Sequence, residues 1–293
     1  MSATEPRDRA APVASTLTAD ADGHSQAQAQ AALTAPAPPK RRSLGAWLSP
    51  WLRDLGGEPL VIIAGSSAVL ILSHYNGSTG FFRRTFGKQV ADWPMAAAMP
   101  YFWWFGASLL LYLLVPLLLS WVTRGSFLRR YGLGLGDWRA GLKLSLLFLV
   151  IMVPAVYLAS KTKMFAGAYP LAGQGAYMLK VDGKASLSLT LFAAYQAAYF
   201  LYFVGWEFLF RGWMLHGLLP KYGRGGAILI QTAPFALMHL GKPQLEALGS
   251  IIAGIALGVL ALRTRSFWYG ALLHGVIAVW MDLLSAWPYL SRP

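Results

Sequence analysis

The chain has 293 residues, of which 56% are hydrophobic and 13% are charged, and its mean hydropathy is +0.47. This composition excludes an ordinary water-soluble globular domain and predicts a protein that lipid largely solvates. The formal net charge of +13 comes mostly from Lys and Arg between the apolar runs, where they can meet anionic lipid head groups. We therefore expect no nucleic-acid partner, since such a surface needs basic and aromatic residues gathered on one domain.

The N-terminal segment has a different composition from the rest of the chain. Residues 1–45 are rich in Ala, Pro, Ser, Thr and Gln, and no periodic apolar face runs through them. They predict a disordered tail. The basic cluster Lys40-Arg41-Arg42 stands near its end and has the composition of a juxtamembrane anchor. The sequence contains no cysteine, which excludes disulfides and thiolate chemistry.

Seven apolar runs follow the tail, judged against the rule that about twenty apolar residues cross a bilayer. The sequence therefore predicts an all-α polytopic transmembrane bundle of about seven spans, with six to eight as the range. The fifth and sixth runs are short and Pro243 separates them, which leaves a re-entrant or tilted arrangement open. The runs lie at 59–75, 97–123, 141–159, 187–218, 225–240, 247–262 and 267–285.

The loops carry a charge bias that predicts the orientation of the bundle. Thirteen Lys and Arg lie beside the N-terminal face and nine beside the other face. By the positive-inside rule this distribution predicts a cytoplasmic N-terminus in a multi-pass protein of the cell membrane. The chain divides into the tail 1–45, N-terminal spans over 46–186 and a helical core over 187–285.

Ionisable residues inside apolar runs mark the region where function is expected. A charge at the bilayer centre costs about 2.5–3.5 kcal/mol on insertion scales, so each such residue should face the bundle interior and have a partner. In the C-terminal half, the residues of this kind that we single out are Glu207, Arg211, His239, His274 and Asp282.

Glu207 and Arg211 are four residues apart and share one helical face, with the acid before the base. They could form a purely structural ion pair or part of a site. His239 and His274 lie in the fifth and seventh runs, and a lone histidine on an apolar helix is more often a packing residue. Two histidines beside a Glu–Arg pair on neighbouring helices favour a functional site.

Two further acids are candidates for supporting roles. Asp282 lies two helical turns after His274 on the same face. It could orient that histidine through water, although capping the helix end near the interface is the favoured interpretation. Glu246 follows Lys242 and Pro243 in the loop between the fifth and sixth runs, where a solvated charge paired with Lys242 is the simplest expectation.

At these residues the chain resembles the CPBP family of intramembrane proteases, named for CAAX proteases and bacteriocin-processing enzymes and also called the Abi family. That family is marked by a Glu-Glu-x-x-x-Arg helix, a Phe-x-x-x-His helix and a His-x-x-x-Asn helix. The corresponding segments here are Trp206-Glu207-x-x-x-Arg211, Phe235-x-x-x-His239 and His274-x-x-x-Ala278. Their order, spacing and apolar setting agree over about residues 187–285, which the resemblance marks as a catalytic core.

The chain departs from the family pattern at two positions. Trp206 replaces the first glutamate, which usually activates water, and Ala278 replaces the asparagine that helps the second histidine at the oxyanion. Either Glu207 has become the base, with Asp282 or Glu246 as the missing polar group, or peptidase activity is lost.

The resemblance implies an endopeptidase that cleaves a membrane-associated, hydrophobic or lipid-modified peptide with water activated by Glu207, held by Arg211. His239 would place the water and His274 would stabilise the oxyanion. Zinc stays open as a cofactor, because the family is labelled as metalloprotease while a metal-free glutamate mechanism has also been argued. The alternatives are a non-catalytic membrane scaffold and, less favoured, a transporter that relays protons through Glu207 and Asp282.

Overall fold

The computed structural model describes residues 43–45, 48–50, 56–124 and 130–290. Most of the predicted tail 1–45, including the Lys40-Arg41-Arg42 cluster, lies outside these residues, and the prediction of disorder stays untested. From Glu58 onward the described chain is mainly α-helical, with one π-helical segment, one short 3₁₀ helix (Gln174–Tyr177) and one short β-hairpin. The elements are α1 (Glu58–Asn76), α2 (Thr79–Phe86), α3 (Met99–Arg124), α4 (Trp138–Ser160), α5 (Lys163–Ala166), β1 (Met178–Val181), β2 (Lys184–Leu187), α6 (Leu189–Glu207), a π-helical segment (Phe208–Leu215), α7 (His216–Leu237), α8 (Gln244–Thr264) and α9 (Trp268–Leu290).

The polytopic helical fold predicted from the sequence is confirmed. Six helices of the described chain are long and apolar enough to cross a membrane. One of them, 189–237, has 49 residues, about 70 Å of helix against a hydrocarbon core of about 30 Å. Its backbone is broken at Gly223, where φ is 65°, between the runs predicted at 187–218 and 225–240. The seven predicted runs therefore correspond to six long helices, one of which contains two of the runs joined across this break.

A small β-hairpin, which the sequence analysis did not anticipate, lies between α4 and α6. Strands β1 and β2 are antiparallel, with Val181 opposite Lys184. The two turn residues, Asp182 and Gly183, both have positive φ, at 49° and 76°. An Asp-Gly pair is a preferred sequence for a two-residue hairpin turn, so this signal was present in the sequence.

Helix α6 occupies the centre of the bundle. It packs against α3 on one side and α9 on the other, while α7 packs against α8 and α4 packs against α9. Residues from Leu191 to Glu207 on several faces of α6 are buried. A transmembrane helix that is buried in this way can carry polar groups because neighbouring helices shield them from lipid.

Aromatic side chains fill much of the interface between α3 and α6. Phe105 stacks on Tyr199 with ring centroids 5.0 Å apart, and Tyr112 meets Trp206 edge-on at 5.9 Å. Such pairs add about 0.5–1.5 kcal/mol each beyond the area they bury. This packing fixes the wall of the bundle against which the candidate site is built.

Candidate active site

The π-helical segment begins at the residue after Glu207 and is buried along its whole length. It carries Arg211, whose Nη1 donates a hydrogen bond of 2.8 Å to Oε1 of Glu207. Both side chains have 0% exposure. Helical segments with π geometry occur frequently at functional sites. The predicted partnership of Glu207 and Arg211 is therefore present, and it lies in the interior of the bundle.

His274 of α9 contacts the same carboxylate. Its Nδ1 lies 2.7 Å from Oε1 of Glu207, so Arg211 and His274 share one oxygen. The other oxygen, Oε2, has no hydrogen-bond partner among the described residues. It faces Gly270, where an added Cβ would lie 2.8 Å from Oε2. A side chain at position 270 would therefore collide with the carboxylate.

His239 lies just beyond the end of α7, and its ring is nearly parallel to that of His274. The two ring centroids are 6.2 Å apart and the rings make an angle of 13°. Nδ1 of His239 lies 2.8 Å from the carbonyl oxygen of Phe235. Because a carbonyl only accepts, Nδ1 carries the hydrogen and Nε2 keeps a lone pair. The structure thus brings the side chains of Glu207, His239 and His274 close together.

Trp206 holds the two imidazoles at this spacing. Its ring meets His239 at 85° with centroids 5.9 Å apart, and it meets His274 at 88° and 6.3 Å. Phe203 packs on His274 at 4.2 Å, and Phe235 packs on His239 at 4.8 Å. The tryptophan that replaces the first motif acid is therefore a wall of the site.

A largely apolar cavity of about 740 Å³ opens beside the two histidines. His239, His274, Trp206 and Ala278 all contribute to its lining. Glu207 is fully buried and is not part of that lining. Pockets of this size, apolar with a few polar groups, are typical of ligand sites. The imidazole rings of His239 and His274 therefore line the cavity, whereas the carboxylate of Glu207 does not.

Glu246 also lines the cavity, in the first turn of α8. Both its carboxylate oxygens accept the Tyr169 hydroxyl at 2.8 Å, and Lys242 Nζ donates to the same hydroxyl at 3.1 Å. The expectation of a solvated Glu246–Lys242 pair is wrong, because Tyr169 stands between them and all three side chains are partly buried. Burial lowers the pKa of Lys242, while the nearby Glu246 charge opposes that shift.

Asp282 has neither of the roles expected from the sequence. It is fully buried, and it accepts hydrogen bonds from Leu171 N at 2.6 Å, Tyr177 Oη at 2.8 Å and Gln196 Nε2 at 2.6 Å. These contacts tie the segment between α4 and α6 to α6 and α9. Asp282 therefore fixes this segment and does not contact His274 or cap a helix end.

The donor atoms of the site do not fit a three-ligand zinc centre. Both Nε2 atoms are free to bind a metal, since each histidine has only its Nδ1 committed to another partner, but Oε1 of Glu207 is already engaged by Arg211 and His274. Within the described ranges, no group of three or more His, Cys, Asp or Glu side chains is arranged to hold a metal ion. A catalytic zinc site needs three such ligands and an open position.

The sequence analysis missed Gln196, Tyr169 and Tyr177 as polar partners of the acids. A glutamine in the apolar run of α6 was a usable signal, because a buried amide needs hydrogen-bond partners. The two tyrosines carried no such signal. Their positions depend on how the segment between α4 and α6 folds back onto the bundle.

Comparison with known protein families supports the resemblance drawn from the motifs. Residues 188–280 match the family described as type II CAAX prenyl endopeptidase Rce1-like, which is consistent with a CPBP family protease. The matched segment contains Glu207, Arg211, His239 and His274. No curated protein and no solved structure matches the chain.

Proposed function

We propose that this chain is an intramembrane endopeptidase of the CAAX-protease type, which cleaves a membrane-associated or hydrophobic peptide inside the bundle. The observation that carries the proposal is one arrangement of three side chains. Glu207 contacts His274, and the rings of His274 and His239 lie nearly parallel to each other beside an apolar cavity. The match over residues 188–280 supports the same reaction class. The cavity's apolar lining suits a hydrophobic or lipid-modified substrate.

The setting of the proposed enzyme is the cell membrane, with the N-terminus in the cytoplasm. The support is the excess of Lys and Arg beside the N-terminal face. Labelling of single introduced cysteines with a membrane-impermeant thiol reagent tests this orientation. The natural chain has no cysteine, so each introduced one reports on its own position. A cysteine near Asp182 should be labelled from outside the cell, and labelling only after lysis would reverse the orientation.

Purified protein in liposomes, offered a library of prenylated and unmodified peptides, tests the peptidase activity. We expect cleavage by the wild-type protein and its loss in His239→Ala and His274→Ala. The variant Asp182→Asn removes an exposed carboxylate from the hairpin turn, where asparagine tolerates the backbone conformation, and should cleave normally. Cleavage that persists in both histidine variants would exclude this site.

A non-catalytic scaffold is the second candidate function, and two positions favour it. Trp206 stands in place of the first motif acid, and Ala278 presents a methyl group to the cavity in place of an amide. The two functions predict different results in one experiment. Absence of cleavage, together with a membrane partner that cross-links through the cavity and is retained by His239→Ala and His274→Ala, would favour the scaffold.

A further inference from the structure

We infer that His274 is the general base of the proposed peptidase and that Glu207 is a positioning residue that acts through it. This inference rests on the proposed function and changes the role expected for Glu207 from the sequence. It follows from where the carboxylate and the two imidazoles lie relative to the cavity. It does not need a metal ion, a redox partner or a further co-reactant.

The surroundings of Glu207 suit a positioning role. Its side chain has no exposed surface and takes no part in the cavity lining. Oε1 is held by Arg211 and His274 at 2.8 and 2.7 Å. A general base must reach the proton it abstracts directly or through one water. The enclosed carboxylate lacks that access, whereas its bond to His274 extends toward the cavity.

His274 has the access that Glu207 lacks. Its side chain is 18% exposed and contributes to the cavity lining. An ionised carboxylate can only accept hydrogen bonds, so Nδ1 of His274 carries a hydrogen and Nε2 has a free lone pair. A carboxylate that orients an imidazole in this way also stabilises the imidazolium that forms when Nε2 takes a proton.

His239 is less suited to the same role. Its Nδ1 donates to a neutral carbonyl and not to a carboxylate, and burial first, then the neighbouring His274, Lys242 and Arg211, oppose a positive charge on its ring. Its free Nε2 can accept a hydrogen bond from the attacking water. We assign it the orientation of that water.

The reaction balances with these groups alone. Nε2 of His274 takes one proton from water as the water oxygen forms a bond to the scissile carbonyl carbon, and the carbonyl electron pair moves to its oxygen. When the tetrahedral intermediate collapses, the C=O bond re-forms and the C–N bond breaks. The proton on Nε2 moves to the leaving nitrogen. The products are a carboxylic acid and an amine, and His274 is neutral again.

Trp206 explains why the general base would lie in α9, at His274, and not in α6, where the family motif has its acid. In the family motif this position carries the acid that activates water, and here an indole ring meets both imidazoles edge-on. The tryptophan contributes no carboxylate to the cavity. The remaining acid, one residue along α6, can influence the cavity through the imidazole that it contacts.

Chemical rescue separates the two possible bases. His274→Ala should lose at least about 100-fold in kcat, the usual minimum contribution of a general base, with little change in KM, and added imidazole should restore part of the loss. Imidazole should not restore Glu207→Ala. Rescue of Glu207→Ala by added formate, with no rescue of His274→Ala by imidazole, would overturn the inference. Wild-type protein with each additive is the control.

A spectroscopic measurement keeps the test independent of activity and of variants that fail to fold. In wild-type protein labelled with ¹⁵N-histidine, the His274 ring should be neutral with the hydrogen on Nδ1, and His274→Ala assigns its signals. A wild-type ring with its hydrogen on Nε2 would overturn the inference even if peptides are cleaved. If the wild-type protein cleaves no peptide, the proposed function fails, while this measurement still tests the Glu207–His274 pair.

Discussion

Glu207 and Arg211 form an ion pair at 2.8 Å in which neither side chain has any exposed surface. The guanidinium also lies over the ring of Phe235, 3.9 Å from its centroid. Nε and Nη2 of Arg211 have no hydrogen-bond partner among the described residues. The arginine therefore depends on Glu207 for most of the compensation of its buried charge.

From this pair we predict that removing one partner is more harmful than removing both. Glu207→Gln leaves the Arg211 charge buried without compensation, which typically costs about 3–5 kcal/mol. Glu207→Gln combined with Arg211→Met leaves no unpaired charge and should recover a large part of this loss. Thermal unfolding of the wild-type protein, Glu207→Gln, Arg211→Met and the double variant in the same detergent measures the difference. A double variant as unstable as the sum of both single variants would contradict the prediction.

Gly270 provides a test of the geometry of Glu207 that keeps all polar groups. In Gly270→Ala the new methyl carbon would lie 2.8 Å from Oε2 of Glu207, so the carboxylate must shift and its contact with His274 is disturbed. A displacement of about 1 Å at a catalytic group can cost about 100-fold in rate, and we expect a loss approaching this size in kcat. The matched control is Gly106→Ala, where no atom lies within 4 Å of the added carbon. Equal rates in both variants would contradict the role of Glu207.

Much of the architecture could be predicted because lipid imposes a simple rule. Backbone polar groups in a bilayer must be satisfied within the segment, so apolar runs become helices. The runs at 187–218 and 225–240 were separable from sequence, because Pro220 and a glycine-rich stretch lie between them. Convergence of Glu207, His239 and His274 also followed from sequence, since charged groups in lipid need partners.

Other features depend on tertiary structure that hydropathy does not encode. The rotation of α6 determines that Trp206 lines the cavity while Glu207 is enclosed, and adjacent residues on an apolar helix give no indication of which one faces the cavity. Two partners of Asp282, Leu171 and Tyr177, come from the segment between α4 and α6 and the third, Gln196, from α6 itself, and each lies more than 80 residues earlier in the chain. Long-range contacts of this kind could not be derived from spacing along one helix.

Asp282 should hold the segment between α4 and α6 in place. In Asp282→Asn one carboxylate oxygen becomes an amide that faces the donors on Leu171, Tyr177 and Gln196, so at least one hydrogen bond is lost. Hydrogen bonds to charged groups contribute about 1.5–3 kcal/mol, and we expect a loss of stability in that range. Hydrogen–deuterium exchange should increase over residues 171–188.

The control for this variant is Ser285→Ala, one helical turn further along α9. Among the residues that the structure describes, the hydrogen bond of the Ser285 hydroxyl is to the sulfur of Met281, at 3.9 Å, a weak acceptor. Exchange over residues 171–188 should therefore match that of the wild-type protein. Unchanged exchange in Asp282→Asn would show that the segment is held by other contacts.

At the opposite end of the bundle, Asp137 gives the stability a predictable dependence on pH. Its Oδ1 accepts the backbone N–H of Ala140 at 3.1 Å, as the N-cap of α4, and its Oδ2 accepts Nη1 of Arg263 at 3.0 Å. The Ala140 N–H and the Arg263 guanidinium lower the pKa of Asp137 below its usual range. Because the unfolded chain binds this proton more tightly, the carboxylate stabilises the fold at neutral pH and the contribution is lost as pH falls through the lowered pKa.

We therefore expect wild-type protein to have a higher Tm than Asp137→Asn at pH 7. This difference in Tm, the gap, should narrow as the pH falls below the usual pKa range of aspartate. Asparagine also caps helices well, so this variant isolates the charge. The ion pair is exposed to solvent, and 1 M salt should reduce the gap at pH 7 by screening. Asp182→Asn, which removes an exposed carboxylate from the hairpin turn, serves as the control and should show no gap. A gap for Asp137→Asn that stays constant with pH and salt would assign the effect to the cap geometry and not to the charge.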